Sequence, residues 1–301
     1  MPNFEQPVFS VVVPTFNRRT ALNQCLERLA PKAQNNGSII PSGGADTYLS
    51  DSNEFTYEVI VSDDSASGED RKYFKKIYPW LNWTRGPGKG PAKNRNNGAL
   101  EARGDWLVFL DDDCIPKSDL LHGYMDEIRK DPNVLVLEGT IKPNRRKQFL
   151  REVAPINLNG GYLWSCNFAI QREFFWDQLK GFYEEFPYPC MEDVDLRERI
   201  KKMGVNFPFC INACVIHPWK VDKQKFGIEL KIKTFSHSLY YRRHPENKPK
   251  RLILIKHFIA QTAKDLLTLI RSPNILDVKY FLRKSCVAFF LLLYFSSVYN
   301  A

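Results

Sequence analysis

The sequence predicts an α/β protein, a mostly parallel sheet with helices on both faces, followed by a basic, helical C-terminal region. Three observations carry this expectation. Short apolar, β-branched runs alternate with segments of helical period through the first two thirds of the chain, which is the pattern of strands buried on both faces. Two of those runs end in acidic clusters, Asp63-Asp64 and Asp111-Asp112-Asp113. Positive charge is segregated: Pro218 to Lys284 holds sixteen Lys and Arg against five Asp and Glu, while the rest of the chain has 27 basic and 29 acidic groups.

The elements follow in order. Phe9 to Val13 (FSVVV), bounded by Pro14, is a first buried strand. Leu22, Leu26 and Leu29 then mark a helix from Thr20, a candidate N-cap, to Leu29, which Pro31 ends. Lys32 to Thr56 lacks periodicity and is expected as a long inserted loop. Tyr57 to Ser62 is a second strand, Asp70 to Tyr78 a helix, Gly86 to Pro91 a Gly/Pro loop, and Ala92 to Ala102 a further helix. Trp106 to Leu110 (WLVFL) is the third strand, ending in three aspartates. Strands are also expected at Val134 to Thr140, Tyr162 to Ile170 and Phe207 to His217, with a helix at Val194 to Met203 closed by Gly204. Helices are expected at Lys223 to Arg243, Leu252 to Ile270 and Ile275 to Tyr299. We thus expect residues 1–219 as one domain, with halves at 1–113 and 114–219, and residues 220–301 as the basic region.

Composition bounds the class. The 301 residues are 44% hydrophobic, 26% charged and 13% aromatic, which excludes a disordered, collagenous or repeat-built chain. Seven scattered cysteines without a C-x-x-C pair suggest neither a disulfide framework nor a zinc ribbon, and they fit a reducing compartment. Met1 to Pro7 lacks the basic and apolar regions of a signal peptide, so a cytoplasmic location is expected.

The chemistry lies where strands end, because ligands of open parallel sheets bind outside the carboxyl ends of the strands. Three successive carboxylates repel one another and are held together by a cation or by backbone donors. All-oxygen ligands suit Mg²⁺ or Mn²⁺. A solvated acidic turn with Asp113 as a helix cap is the other reading. Because strand side chains alternate, Asp111 and Asp113 are expected to face one way and Asp112 the other. Glu192 and Asp193 open a helix, where the macrodipole favours acids. They also follow the aromatic, proline-rich Phe182 to Cys190, which can wall a pocket around a general base. His217 follows a strand, as a structural histidine or as a ligand.

In their order, these motifs resemble the family 2 glycosyltransferases over Phe9 to Pro218. Val11-Val12-Val13-Pro14-Thr15-Phe16-Asn17-Arg18 is similar to the family's opening strand and nucleotide loop, and Val59-Ile60-Val61-Ser62-Asp63-Asp64-Ser65 to its second strand. Gly90 to Gly98 carries Arg95 in the family's arginine position; Gly104 to Asp113 resembles the stretch ending in the DXD motif; Glu192-Asp193 is similar to the ED pair. The segment Ser65-Ala66-Ser67 and the long 32–56 insertion depart from the usual pattern.

The resemblance implies a Rossmann-like GT-A fold and inverting transfer from a nucleoside-diphosphate sugar, with UDP or GDP as the nucleotide. It implies Pro14, Thr15, Asn17, Arg18, Asp63, Asp64, Arg95, Asp111 and Asp112 at the sugar nucleotide. Asp111, Asp113 and His217 would hold Mn²⁺ or Mg²⁺, and Asp193 would be the base. Glu192, Trp164 and Asn167 would lie on the acceptor side, although Trp164 equally suits a buried core position. A non-catalytic sugar-nucleotide scaffold and a GT-A-like nucleotidyltransferase are the alternatives. A nucleic-acid partner is not expected, because it gives no reason for acids at two strand ends.

Ser285 to Tyr299 is uncharged, and its fifteen residues fall short of the about 20 that a spanning helix needs. It suits an interfacial position behind Arg283 and Lys284, or a packed helix. A peripheral enzyme on an anionic, cytoplasmic membrane face, with a glycan or lipid-linked acceptor, is the expectation.

Overall fold

The computed structural model describes residues 7–35, 37–39, 55–66, 68–271 and 274–299. The chain divides into two compact units, Met1–Asn144 with Pro155–Pro218, and Arg145–Ala154 with Trp219–Ala301. Its elements begin with β1 (Phe9–Thr15), α1 (Arg19–Glu27), β2 (Gly37–Ile39), β3 (Phe55–Asp63), α2 (Glu69–Ile77), β4 (Asn82–Arg85) and α3 (Pro91–Leu100). After these come β5 (Trp106–Leu110), β6 (Ile115–Pro116), α4 (Leu120–Lys130), β7 (Val136–Pro143), β8 (Glu152–Val153), β9 (Asn167–Gln171), α5 (Glu192–Lys202) and β10 (Phe209–His217).

In the first unit the described residues form a nine-stranded sheet in the order β2-β3-β1-β5-β9-β7-β10-β6, with β4 beside β3. Every residue of β1, β3 and β5 is buried, as continuous apolar runs require when helices cover both faces. β1 lies parallel to both neighbours, with Val13 opposite Val61 and Val12 opposite Phe109. Thr15 therefore stands beside Asp63, and the aspartates after β5 share their rim. β9 is antiparallel to β5 and β7, so the sheet is mostly parallel.

Several elements differ from the sequence expectation. Arg18, not Thr20, precedes the first helical residue, and it makes no side-chain cap. Part of the expected 32–56 insertion is the short strand β2, paired with β3; residues 40–54 lie outside the described residues. The expected strand from Tyr162 begins only at Asn167, because the backbone takes positive φ at Gly160, Gly161 and Leu163. β4 and α4 are additional, and α4 buries Leu120, Leu121, Tyr124 and Met125.

Asn167 corrects a site expectation. It is wholly buried; its amide donates to the carbonyls of Thr140 and Ala213, both at 2.9 Å, and its Oδ1 accepts from the Tyr124 hydroxyl at 2.8 Å. It joins β9 to β7, β10 and α4, and it has no surface to offer an acceptor.

The second unit pairs β11 (Lys220–Val221) with β8 and adds α6 (Phe226–Arg243), α7 (Arg251–Arg271) and α8 (Ile275–Tyr299). Arg283 and Lys284 of α8 pair with Asp222 at 2.8 and 2.7 Å, and Lys284 also reaches Glu229 of α6 at 2.5 Å. Val287 and Phe295 bury one side of α8, and Phe295 meets Tyr241 edge-on at 5.5 Å. Among the described residues no helix is long and apolar enough to cross a membrane.

Asn167→Ala strands two buried carbonyls and a hydroxyl. We expect it to cost about 3 kcal/mol, read as a lower urea midpoint; a loss under about 1 kcal/mol contradicts this role.

Candidate functional site

β5 stops at Leu110, and Asp111 to Asp113 form a turn in which the Cys114 amide donates to the Asp111 carbonyl at 3.0 Å. Strand alternation therefore does not sort these carboxylates, contrary to the expectation that Asp112 would face away from its neighbours. Instead each meets its own partners. Thr15 Oγ1 donates to Asp112 Oδ2 at 2.7 Å. Arg18 Nη1 reaches Asp112 Oδ1 at 3.0 Å and Asp113 Oδ2 at 2.7 Å. Burial raises the Asp112 carboxyl above its ordinary range, while Arg18 and Thr15 oppose that shift. The Arg18 side chain is itself 54% exposed, so a cation that neutralises the turn sits at its open side.

Asp111 turns toward Arg95 of α3. This guanidinium is buried, with Nη2 2.8 Å from Asp111 Oδ1 and Nη1 3.0 Å from Glu192 Oε1. The Phe182 ring lies under it at 5.6 Å. Burial works against the charge of Arg95, but Asp111 and Glu192 more than offset it and push its pKa up. Thus one cation joins the carboxylates of the β5 rim to the first turn of α5.

Met191, at φ 75°, turns the chain into α5, a left-handed geometry that costs a non-glycine residue energy and recurs at functional sites. Asp193 is partly exposed, and its Oδ1 accepts from the Val194 amide at 2.8 Å, so it also serves the helix terminus. Burial raises its pKa, opposed by Arg95 and by the Val194 and Ser165 amides; Asp111 adds to the rise. Glu192 is raised too, by burial first and by Asp193 second. Glu192 Oε2 and Arg95 Nε are buried without a hydrogen-bond partner among the described residues, so the cleft keeps polar atoms for a ligand.

His217 ends β10, with Nε2 3.0 Å from Asp113 Oδ1 and Nδ1 3.0 Å from the Pro218 carbonyl. Burial lowers its pKa, which favours neutral imidazole. A neutral ring that donates from Nδ1 to Pro218 turns an Nε2 lone pair toward a carboxylate oxygen, the arrangement a cation between them would satisfy. Cys114 Sγ lies in the same group, all within 4.8 Å, but its thiol is held protonated by its contact with Cys166 and by burial. The fitting donors are carboxylate oxygen and imidazole nitrogen.

Pro14, Thr15, Asn17, Asp63 and Asp64 stand at or just past the ends of β1 and β3. Pro14 and Thr15 are buried at the end of β1, and Asn17, at φ 53°, donates its amide to Ser65 Oγ at 2.8 Å. Asp63 Oδ1 accepts the Ser65 amide at 2.8 Å, and Asp64 Oδ1 the Gly88 amide at 2.9 Å. Trp164 is partly buried against the core, 4.8 Å from the Tyr162 ring. Asn94, one residue before Arg95, is buried and donates to the Ser62 carbonyl at 3.0 Å and the Thr15 carbonyl at 3.3 Å, fixing two strand ends. Its signal was a polar run, Lys93 to Asn97, inside an otherwise buried helix.

The family described as Glycosyl transferase family 2 matches residues 10–179. A Campylobacter jejuni GalNAc(5)-diNAcBac-PP-undecaprenol beta-1,3-glucosyltransferase is 33% identical over 127 residues, 42% of this chain and 35% of the relative. The matched part spans about a third or less of the curated relatives' length. Among solved structures, S. aureus TarS 1-349 in complex with UDP-GlcNAc has a TM-score of 0.52 at 22% identity, over 72% of this chain and 59% of that one. The Pyrobaculum calidifontis mannosyltransferase PcManGT with GDP-Man and Mn2+ reaches 0.53 at 18% identity, over 95% and 81%. These likenesses show the GT-A fold.

Because the fold raises Glu192, it favours the protonated form, and stability falls as pH rises from the ordinary carboxylate value through the raised one. Glu192→Gln removes that loss. Its melting temperature is expected to rise relative to the parent's between about pH 4 and about pH 8; a difference that stays constant over this range contradicts it.

Proposed function

The chain belongs to glycosyl transferase family 2, and from that premise we propose that it moves a sugar from a nucleoside-diphosphate sugar to an acceptor hydroxyl by a single inverting displacement. The observation that carries this reading is Arg95, whose two contacts bring the β5 carboxylates and the Glu192-Asp193 pair to one cleft.

Asp193 takes the proton of the acceptor hydroxyl, for which the two oxygens must come within about 2.6 to 3.2 Å. The acceptor oxygen forms a bond to the anomeric carbon, the bond from that carbon to the diphosphate oxygen breaks, and its electron pair leaves with the nucleoside diphosphate. Glu192 Oε2 offers an acceptor to a neighbouring sugar hydroxyl. Thr15, Asn17, Asp63 and Asp64 frame the nucleotide, and the exposed Arg18 is free to swing from the aspartates toward phosphate. Asp113, Asp111 and His217 have the donor chemistry to hold Mn²⁺ or Mg²⁺, which when bound would offset the charge of the diphosphate.

The UDP-GlcNAc and GDP-Man of the solved neighbours support UDP and GDP sugars as donors. The Campylobacter relative, named for a polyprenyl-diphosphate glycan, supports a lipid-linked acceptor. The second unit suits that role. α7 exposes Leu252, Ile259, Leu266 and Ile270, at 62, 59, 46 and 67%, along one stripe of helical spacing. Lys256 and Lys264 stand with it, as in helices that lie on anionic membranes. The free cysteines fit the cytoplasmic face of such a membrane.

UDP and GDP sugars with Mn²⁺ or Mg²⁺ should raise the melting temperature, since a ligand of the folded state stabilises it. Asp193→Asn should abolish release of nucleoside diphosphate while donor binding persists; retention of most turnover would rule out this base, and release of pyrophosphate from a nucleoside triphosphate would favour a nucleotidyltransferase.

Joint replacement of Ile259 and Leu266 by Asp should free the protein from phosphatidylglycerol vesicles. Unchanged flotation with the vesicles would remove α7 from the membrane surface.

A further inference from the structure

A carboxylate that the catalytic reading does not use sits in the middle of the sheet. Glu138 lies on β7 between β9 and β10, opposite Phe168 and Phe209, and is 1% exposed. Burying a charge at such a position is expensive unless donors surround it. Here the donors are backbone amides. Glu138 Oε2 accepts the Gly161 amide at 2.6 Å, and Oε1 accepts the Tyr162 amide at 2.7 Å and the Leu163 amide at 2.5 Å. Asn157 Nδ2 adds a fourth donor at 2.7 Å, while Asn157 Oδ1 takes the Gly160 amide at 2.9 Å.

Successive amides aimed at one anion form a nest, and charge-assisted bonds of this kind are short and strong. The nest also accounts for the backbone, since Gly160, Gly161 and Leu163 all take positive φ, at 81, 97 and 49°. The same loop meets α5 directly, since Arg197 Nη1 donates to the Tyr162 carbonyl at 3.3 Å. The contacts thus run from Glu138 through the loop backbone to α5.

We propose that Glu138 is a positioning residue, clamping loop 160–165 against α5, the helix whose first turn holds Asp193, so that the acceptor side of the cleft keeps its shape. The inference rests on Asp193 acting as the base. Loss of the clamp leaves the nucleotide rim untouched, because Thr15, Asp63 and Asp111 are built on other strands. Its signature is therefore a fall in kcat without a change in donor affinity.

Glu138→Gln in the full chain replaces an acceptor oxygen by an amide nitrogen that faces backbone N–H groups. We expect kcat for nucleoside-diphosphate release, with the sugar nucleotide selected by thermal shift and water as acceptor, to fall about tenfold or more. KM for the donor should change less than about twofold. Amide hydrogen exchange should accelerate over 160–166 and stay unchanged over 110–114, with UDP or GDP and Mn²⁺ bound. Gly161→Ala leaves Glu138 in place but strains a backbone at φ 97° whose added Cβ meets no neighbour within 4 Å. It should reproduce the kinetic signature should Glu138→Gln fail to fold. Unchanged turnover, unchanged loop exchange, or equal losses in kcat and donor affinity would overturn the clamp. Failure of the base assignment reads differently: Asp193→Asn would then keep its turnover, whatever Glu138→Gln does to the loop.

Discussion

The cleft depends on one buried guanidinium. Arg95 reaches Asp111 with one nitrogen and Glu192 with the other, residues that approach the site from a strand end and from a helix start far apart in the chain. A lysine would supply the charge but not the fork, since only a planar guanidinium offers paired donors at fixed angles. Removing this cation would leave acids facing one another in a site from which water is largely excluded, where each like charge raises the cost of ionising the next. Burial raises the pKa of both Glu192 and Asp193, and Arg95 opposes the rise in each.

Around that ion pair the protein tolerates several local costs. Asn17, Leu163 and Met191 all adopt left-handed backbone geometry without being glycine. Asp112 and Asp113 share a single, exposed arginine. Such strain and charge crowding persist only when the surrounding scaffold overdetermines the geometry. Here the scaffold is the parallel trio β3-β1-β5 on one side, and the buried polar ties of Asn94, Asn167 and Glu138 on the other.

The second unit follows a different logic. The uncharged run at the end of the chain, the expected interfacial segment, puts Phe295 against Tyr241 of α6 beyond a set of ion pairs. Both helices keep apolar side chains exposed, Leu252, Ile259 and Ile270 on α7 and Leu282, Phe289 and Leu293 on α8, the latter at 56, 46 and 49%. Exposure depends on which face of each helix finds a partner.

The sequence by itself left out the short strands β2, β4, β6, β8 and β11, but it determined β1, β3, β5, β7 and β10, most helices and the common rim of Asp63 and Asp111 to Asp113. Those features follow from local periodicity and from the rule that parallel strands end on one side. α7 and α8 were legible almost to the residue for the same reason. Tertiary structure alone decided which cation each carboxylate meets, that Asp112 and Asp113 share Arg18, and that Asn167 belongs to the core. It also decided that Glu138, an isolated acid in the apolar run Val134 to Ile141, gathers a loop about itself. Contacts such as Arg95 with Glu192 span 97 residues, and no local pattern encodes a pairing that exists only after the sheet has assembled.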